Sequence, residues 1–185
     1  MSKKTWPVLL FVLVIVIVGF MYLSQHNTLP PSTQSTRPAS STATTQIGQR
    51  TKTEGCVVNG VLPDLACTPG ATITTATKDQ ICVPGYSKTV RNVPAAEKAQ
   101  VYAEYGIASH SLGQYEVDHL VSLELGGSND ISNLWPEAAN PTPGFHQKDG
   151  EENTLHQEVC NGNISLVQAQ QEIAQNWLGV YSSTH

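Results

Sequence analysis

Asp118 and His119 stand side by side at the end of the short run Tyr115-Glu116-Val117-Asp118-His119-Leu120. A carboxylate is a hard ligand for a divalent cation, and a histidine near its ordinary pKa of ~6.5 is a base at neutral pH. Hydrolysis of a phosphodiester needs both: a base to deprotonate water, and a positive centre to hold the phosphate and the developing charge. In that chemistry His119 is the base and Asp118 the metal ligand. Neighbours on a strand point to opposite faces, so the two can address one centre only at a strand end or bulge. The loop Leu123-Glu124-Leu125-Gly126-Gly127-Ser128-Asn129 follows and allows such a departure. Asn133, opening Asn133-Leu134-Trp135-Pro136-Glu137, is expected to anchor that loop through its side-chain amide and so to fix His119. Taken singly, His119 is an ordinary core histidine and Asn133 an ordinary turn asparagine; their order and spacing carry the reading.

Two residues compete as a further metal ligand. His146 follows Pro143-Gly144 at the expected start of a helix, from where it can point back at the Asp118-His119 pair. Asn140 offers an oxygen in the preceding loop. Lys148, two residues beyond His146, is a candidate to bind or polarise a phosphate oxygen, set against the plainer role of a solvated helix lysine. Asp149, Glu151 and Glu152 suit the electrostatics of a helix's first turns. His26, His110, His156 and His185 are read as incidental.

The elements that must position these groups are partly legible. Pro94 to Gly106 reads as a helix with proline in its first turn, glycine at its end, and Val101 and Tyr105 on one apolar face. A second helix is expected from about Gly144 to Cys160, with Leu155 and Val159 inward and Asn161-Gly162 as its stop. Ser165-Leu166-Val167-Gln168 reads as a capping box opening a third, whose face of Leu166, Ala169, Ile173 and Trp177 belongs to the core. Asn59-Gly60 between short apolar pairs signals a hairpin. Cys67-Thr68-Pro69-Gly70 reads as a turn.

Outside this folded part the chain is simpler. Trp6 to Leu23 is an uncharged run of 18 residues, roughly 27 Å long as a helix and close to a bilayer's ~30 Å hydrocarbon core. It lacks a small-x-small site before Gln25, which favours an uncleaved anchor over a signal peptide. Lys3 and Lys4 precede it, so residues 1–5 are expected in the cytoplasm, 6–24 across the membrane and the remainder outside. Residues 25–54, rich in Ser, Thr, Gln and Pro, bury too little to order themselves and read as a flexible tether with a reach on the order of 30 Å. Residues 55–185 form the expected domain, large enough for one core.

The cysteines Cys56, Cys67, Cys82 and Cys160 all fall in that domain, with no C-x-x-C pair to suggest structural zinc. In an exported domain they imply two disulfides, of which three pairings are possible. Cys67–Cys82, flanking one compact segment, with Cys56–Cys160 is the pairing favoured. Setting aside Lys3 and Lys4, eight basic residues face fifteen acidic ones, a balance of −7. The basic surface usual in nucleic-acid binders is therefore absent, and any such ligand needs a local patch, for which Arg91, Lys88 and Lys148 are candidates.

Asp118-His119-Leu120, Leu123-Glu124-Leu125-Gly126-Gly127-Ser128-Asn129, Asn133-Leu134-Trp135-Pro136-Glu137 and His146 resemble, in order, the HNH (His-Me finger, ββα-metal) endonuclease family. Cys67-Thr68-Pro69-Gly70-Ala71, Ile81-Cys82, Gly85-Tyr86, Lys148-Asp149, Glu152-Asn153 and Leu155-His156 extend the likeness to bacterial exported proteins with an HNH signature. The resemblance covers about Leu62 to Tyr181. It implies an α+β fold: a small disulfide-stabilised domain holding a ββα-metal module with flanking helices, behind a single transmembrane helix. It further implies cleavage of nucleic acid, DNA before RNA, dependent on a divalent ion (Mg²⁺ first, then Mn²⁺, Ca²⁺ or Zn²⁺) and on no small-molecule cofactor. The competing reading is a catalytically inactive module that keeps the frame for binding or structure.

Overall fold

The computed structural model describes Ile47 and residues 49–184, all within one compact unit, Ala43–His185. The expected membrane anchor and most of the tether lie outside the described residues. Among the described residues no helix is long and apolar enough to cross a membrane. The domain is a mixed α+β fold with a two-stranded sheet and two disulfides.

The chain enters through three helices: α1 (Lys78–Ile81), α2 (Tyr86–Val90) and α3 (Ala95–Glu104). Thr77 caps α1 in a full capping box with Gln80. Helix α3 begins after Pro94 and buries Val101, with Tyr105 also buried, as the apolar spacing predicts. Strands β1 (Tyr115–His119) and β2 (Leu134–Ala138) pair antiparallel, with Asp118 opposite Trp135 and Glu116 opposite Glu137. Between them run two short 3-10 turns, Leu123–Leu125 and Ile131–Asn133. Helix α4 (Phe145–Asn161) follows β2, and α5 (Leu166–Thr184) packs against α4.

Both long helices follow the sequence pattern. Leu155 and Val159 are buried on α4, which ends at Gly162 in the left-handed region, φ 81°. Ser165 Oγ accepts from Gln168 N at 3.1 Å at the start of α5. Ala169, Ile173 and Trp177 are buried there, and Leu166 packs against them half-buried. A single core joins Leu120, Leu125 and Trp135 from the sheet and loop to Leu155, Val159, Ile173 and Trp177 from the helices. Helix α5 is interrupted at Asn176, whose φ of −166° and ψ of 71° mark a kink.

The disulfides correct one expectation. They are Cys56–Cys67 and Cys82–Cys160, not Cys67–Cys82 with Cys56–Cys160. The Asn59-Gly60 signal explains the first pair. Asn59 N reaches Leu62 O at 2.8 Å and Leu62 N reaches Asn59 O at 3.1 Å, so the segment doubles back and sets Cys56 and Cys67 6.0 Å apart at Cα. That turn is a single bridge, not the start of a longer hairpin. Cys82 caps α1 and meets the last turn of α4 at Cys160.

Candidate functional site

The loop between β1 and β2 is closed by one side chain. Asn133 is fully buried, and its Oδ1 accepts from Val121 N at 2.9 Å and Ala71 N at 3.2 Å. Its Nδ2 donates to Val121 O and Ser128 O, both at 2.9 Å. All four bonds run to backbone, so Asn133 ties both ends of the Gly-Gly loop and the 67–72 segment together. Gly127 is required here: a Cβ on it would lie 1.8 Å from Val121 O. Gly126, at φ +75°, supplies the left-handed turn.

His119 ends β1 and is 1% exposed. Its Nε2 lies 3.2 Å from Asn129 Oδ1. The Asn129 amide is oriented by its other partners: Oδ1 accepts from Asn92 N at 3.0 Å, and Nδ2 donates to Val90 O at 2.7 Å. An oxygen therefore faces the ring, Nε2 carries the proton, and Nδ1 keeps the free lone pair. Burial holds the imidazole down at about 4, although the Asp118 charge and the Asn129 bond pull the other way. The ring is neutral at physiological pH.

Asp118 reaches a different set of groups. Its Oδ2 is 2.6 Å from Lys148 Nζ, and the same ammonium donates to His119 O at 2.8 Å and to Glu152 Oε1. Glu137 Oε2 stands 4.0 Å from that nitrogen. The Lys148 side chain is 0% exposed. Burial alone would lower its pKa, but the charges of Asp118, Glu152 and Glu137 reverse this and hold it well above the ordinary lysine value. Burial likewise pushes Asp118 up, and Lys148 together with the hydrogen bonds brings it below the usual carboxylate range. Glu137, 1% exposed, goes the opposite way: burial and the neighbouring Asp118 carboxylate raise it, even against Lys148. Beyond that ion pair, its oxygens receive no hydrogen bond from the described residues. As a neutral acid it can donate to Asp118. Glu152 is also raised, by burial first.

An outer ring of charge surrounds this cluster. Glu116 is half-buried and pushed up to about 7 by burial and then by Asp118 and Asp149. Asp149 is raised by burial and by Asp118. Exposed Arg91, just after α2, acts electrostatically on Glu116, His119 and Asp149.

Asp118, His119, Asn133 and Lys148 thus come together, with Lys148 in neither place the sequence suggests. It is not a solvated helix lysine, and, being fully covered, it presents no surface to a phosphate. His146 and Asn140 are both exposed; the His146 ring lies on Phe145, 4.3 Å between centroids. Among the described residues, Asp118 and His146 belong to no group of three His, Cys, Asp or Glu ligand atoms within 4.8 Å of one another.

One such group does exist: Cys82, His156 and Cys160, which could hold a metal ion. The thiolate is the metal-binding form of cysteine, and here the two sulfurs are joined in a disulfide. The group therefore offers its full donor set only when reduced. At Asp118 the donors are of the right kind for a hard cation, three carboxyl groups and a carbonyl oxygen. Their centre, however, is filled by the Lys148 ammonium, so the residues as arranged do not fit a divalent ion there.

Glu137, Glu152 and Asn129 are the site residues that sequence reasoning gave no such role. Stepping back along α4 from the inward pair Val159 and Leu155 gives 152 and 148, the same helix face, so that signal was present for Glu152. Comparison with protein-family models, curated proteins and solved structures finds no match.

Proposed function

We propose that this domain hydrolyses phosphodiester bonds in nucleic acid, as an HNH-type endonuclease, DNA before RNA, held outside the cell membrane by residues 6–24. The observation that supports it is the fixed tautomer of His119. Asn129 Oδ1 accepts a hydrogen bond from Nε2–H, leaving an unprotonated Nδ1 on a neutral ring at the end of a strand, next to a loop that Asn133 locks. Nδ1 is the atom that would accept a proton from water as the water's oxygen attacks phosphorus. The exposed cation that acts electrostatically on this ring is Arg91, suited to an incoming phosphate on an otherwise acidic domain. Mg²⁺ is the cation that the resemblance implies first, ahead of Mn²⁺, Ca²⁺ and Zn²⁺.

The second reading, a catalytically inactive module, is favoured by how little of His119 is exposed, 1%. Plasmid nicking by the full chain in detergent, with each cation and with chelator, separates the two. Nicking that His119→Ala removes supports the nuclease. Intact plasmid under every condition, from a chain with a native melting transition, supports the inactive module.

A further inference from the structure

His156 and Cys160 stand four residues apart on α4, so they share one face of the helix. The sequence holds no C-x-x-C pair, but the fold brings in a second sulfur. Cys82, at the end of α1, lies 5.7 Å from Cys160 at Cα. His156 Nε2 is 3.5 Å from Cys160 Sγ, and one ligand atom from each of the three residues lies within 4.8 Å of the others. In a tetrahedral zinc site, with Zn–S ~2.3 Å and Zn–N ~2.0–2.1 Å, a nitrogen and a sulfur stand ~3.5 Å apart. The ring nitrogen already sits at that separation from Cys160. Ile81 O, 3.1 Å from Nε2, holds the ring there from the residue beside Cys82. Cys82, His156 and Cys160 are all half-buried, so an ion can reach them and keep one position open to water.

We infer that Cys82, His156 and Cys160 form a thiol-gated site for Zn²⁺, shut while the disulfide stands and open once a dithiol has reduced it. Reduction moves two electrons. One thiolate of the dithiol attacks a protein sulfur, and its second thiol then releases the mixed disulfide, leaving two protein thiols and the oxidised, cyclic dithiol. Zn²⁺ displaces one proton from each protein thiol and binds the two thiolates. A carbonyl only accepts, so in the disulfide form Nε2 carries the ring's proton toward Ile81 O. On metal binding the neutral ring carries that proton on Nδ1, and the Nε2 lone pair becomes the third ligand. Water takes the fourth position. Two sulfurs and a nitrogen suit a borderline-soft ion, whereas Mg²⁺ and Ca²⁺ take oxygen. The ion then joins the end of α1 to the last turn of α4 as the disulfide did, so that contact survives reduction. The site owes nothing to the hydrolytic reading, and His119 takes no part in it.

The experiment reduces the full chain in detergent with a dithiol, removes the dithiol anaerobically, and titrates Co²⁺ as a coloured stand-in for Zn²⁺. The reduced wild type should develop thiolate-to-cobalt charge-transfer absorption that Zn²⁺ then bleaches, and its melting temperature should climb as Zn²⁺ is added. His156→Gln, reduced in the same way, should bind at least about tenfold more weakly. The disulfide-bonded wild type, and a reduced chain carrying both Cys82→Ser and Cys160→Ser, should show no such absorption. A reduced wild type that has lost its melting transition and regains it with Zn²⁺ supports the inference equally. One that develops no charge-transfer band, or that Zn²⁺ leaves unfolded, would overturn it. So would binding that His156→Gln leaves undiminished, or the same band in the disulfide-bonded chain or the double-serine chain.

Discussion

The Nε2 of His119 is 3.2 Å from Oδ1 of Asn129, and the backbone at Asn92 and Val90 fixes which way that amide faces. Asn129→Ala frees the ring to rotate and to change tautomer. On the proposed reaction, kcat should fall by about ten- to a hundredfold, with stability lowered by about 1–2 kcal/mol for the lost hydrogen bonds. Steady-state kinetics beside urea unfolding check this. A variant that loses stability but keeps kcat would remove Asn129 from the chemistry.

The pH profile follows from the same ring. With His119 held at about 4, against 6.5 for an unperturbed histidine, the acid limb of the rate should lie near pH 4 and kcat should be level above it. Stability has a matching dependence. Between pH 6.5 and 4 the unfolded chain binds a proton that the folded ring refuses. The ring's contribution is therefore complete above pH 6.5 and is lost as pH falls toward 4, by on the order of 3 kcal/mol. Urea unfolding of the wild type and His119→Gln at pH 4.5 and 7 isolates it, since the variant should lack this component.

Glu116, pushed up to about 7, lies within electrostatic reach of Arg91. On the proposed reaction, its ionisation puts negative charge where a phosphate must approach, so KM for nucleic acid should rise between pH 6 and 8 with little change in kcat. Glu116→Gln should flatten that rise. The stability sign is opposite to that of His119. The folded carboxyl keeps its proton above the unfolded value, so its contribution is full below pH 4.5 and declines as pH climbs through 7. Melting of Glu116→Gln at pH 5 and 8 should show the smaller loss.

Asn133 makes four buried bonds to backbone through one amide. Asn133→Ala leaves two carbonyls and two N–H groups without those partners, and should cost about 3 kcal/mol or more. Asn133→Asp keeps the acceptor but turns an oxygen toward Val121 O and Ser128 O, so it should be no better. Equilibrium unfolding measures both, and a loss under about 1 kcal/mol would show that the loop closes without this side chain.

The two disulfides span different lengths of chain, 11 residues for Cys56–Cys67 and 78 for Cys82–Cys160. Loop-closure entropy gives roughly 3 kcal/mol for the first and roughly 4.5 kcal/mol for the second. Replacing Cys82 and Cys160 by serine should therefore lower stability more than replacing Cys56 and Cys67, by roughly 1.5 kcal/mol in denaturant titrations.

Much of the frame was legible because it rests on local signals. Pro94, Gly162 and the Ser165–Gln168 pair mark helix ends through backbone chemistry that needs no distant partner. Asn133 was legible as a loop anchor from its place after the Gly-Gly turn. The disulfide pairing was not, because it depends on how the 59–62 turn folds the chain back and on where α4 ends beside α1. Lys148 was misjudged for a related reason. A lysine on a polar-looking helix is usually solvated, and only the meeting of β1, β2 and α4 shows three carboxyl groups around its ammonium. The same meeting hides Glu137, which reads in sequence as an ordinary residue after proline.

The Cys82–Cys160 bond closes a ring of chain that contains both strands, the loop between them and most of α4. A protease that cuts once anywhere inside that ring produces two fragments that stay bonded to each other. Such a clipped molecule keeps its mobility on a non-reducing gel and separates into pieces only when a thiol is added. A single exposed cut inside that ring would then be a scar and not a loss.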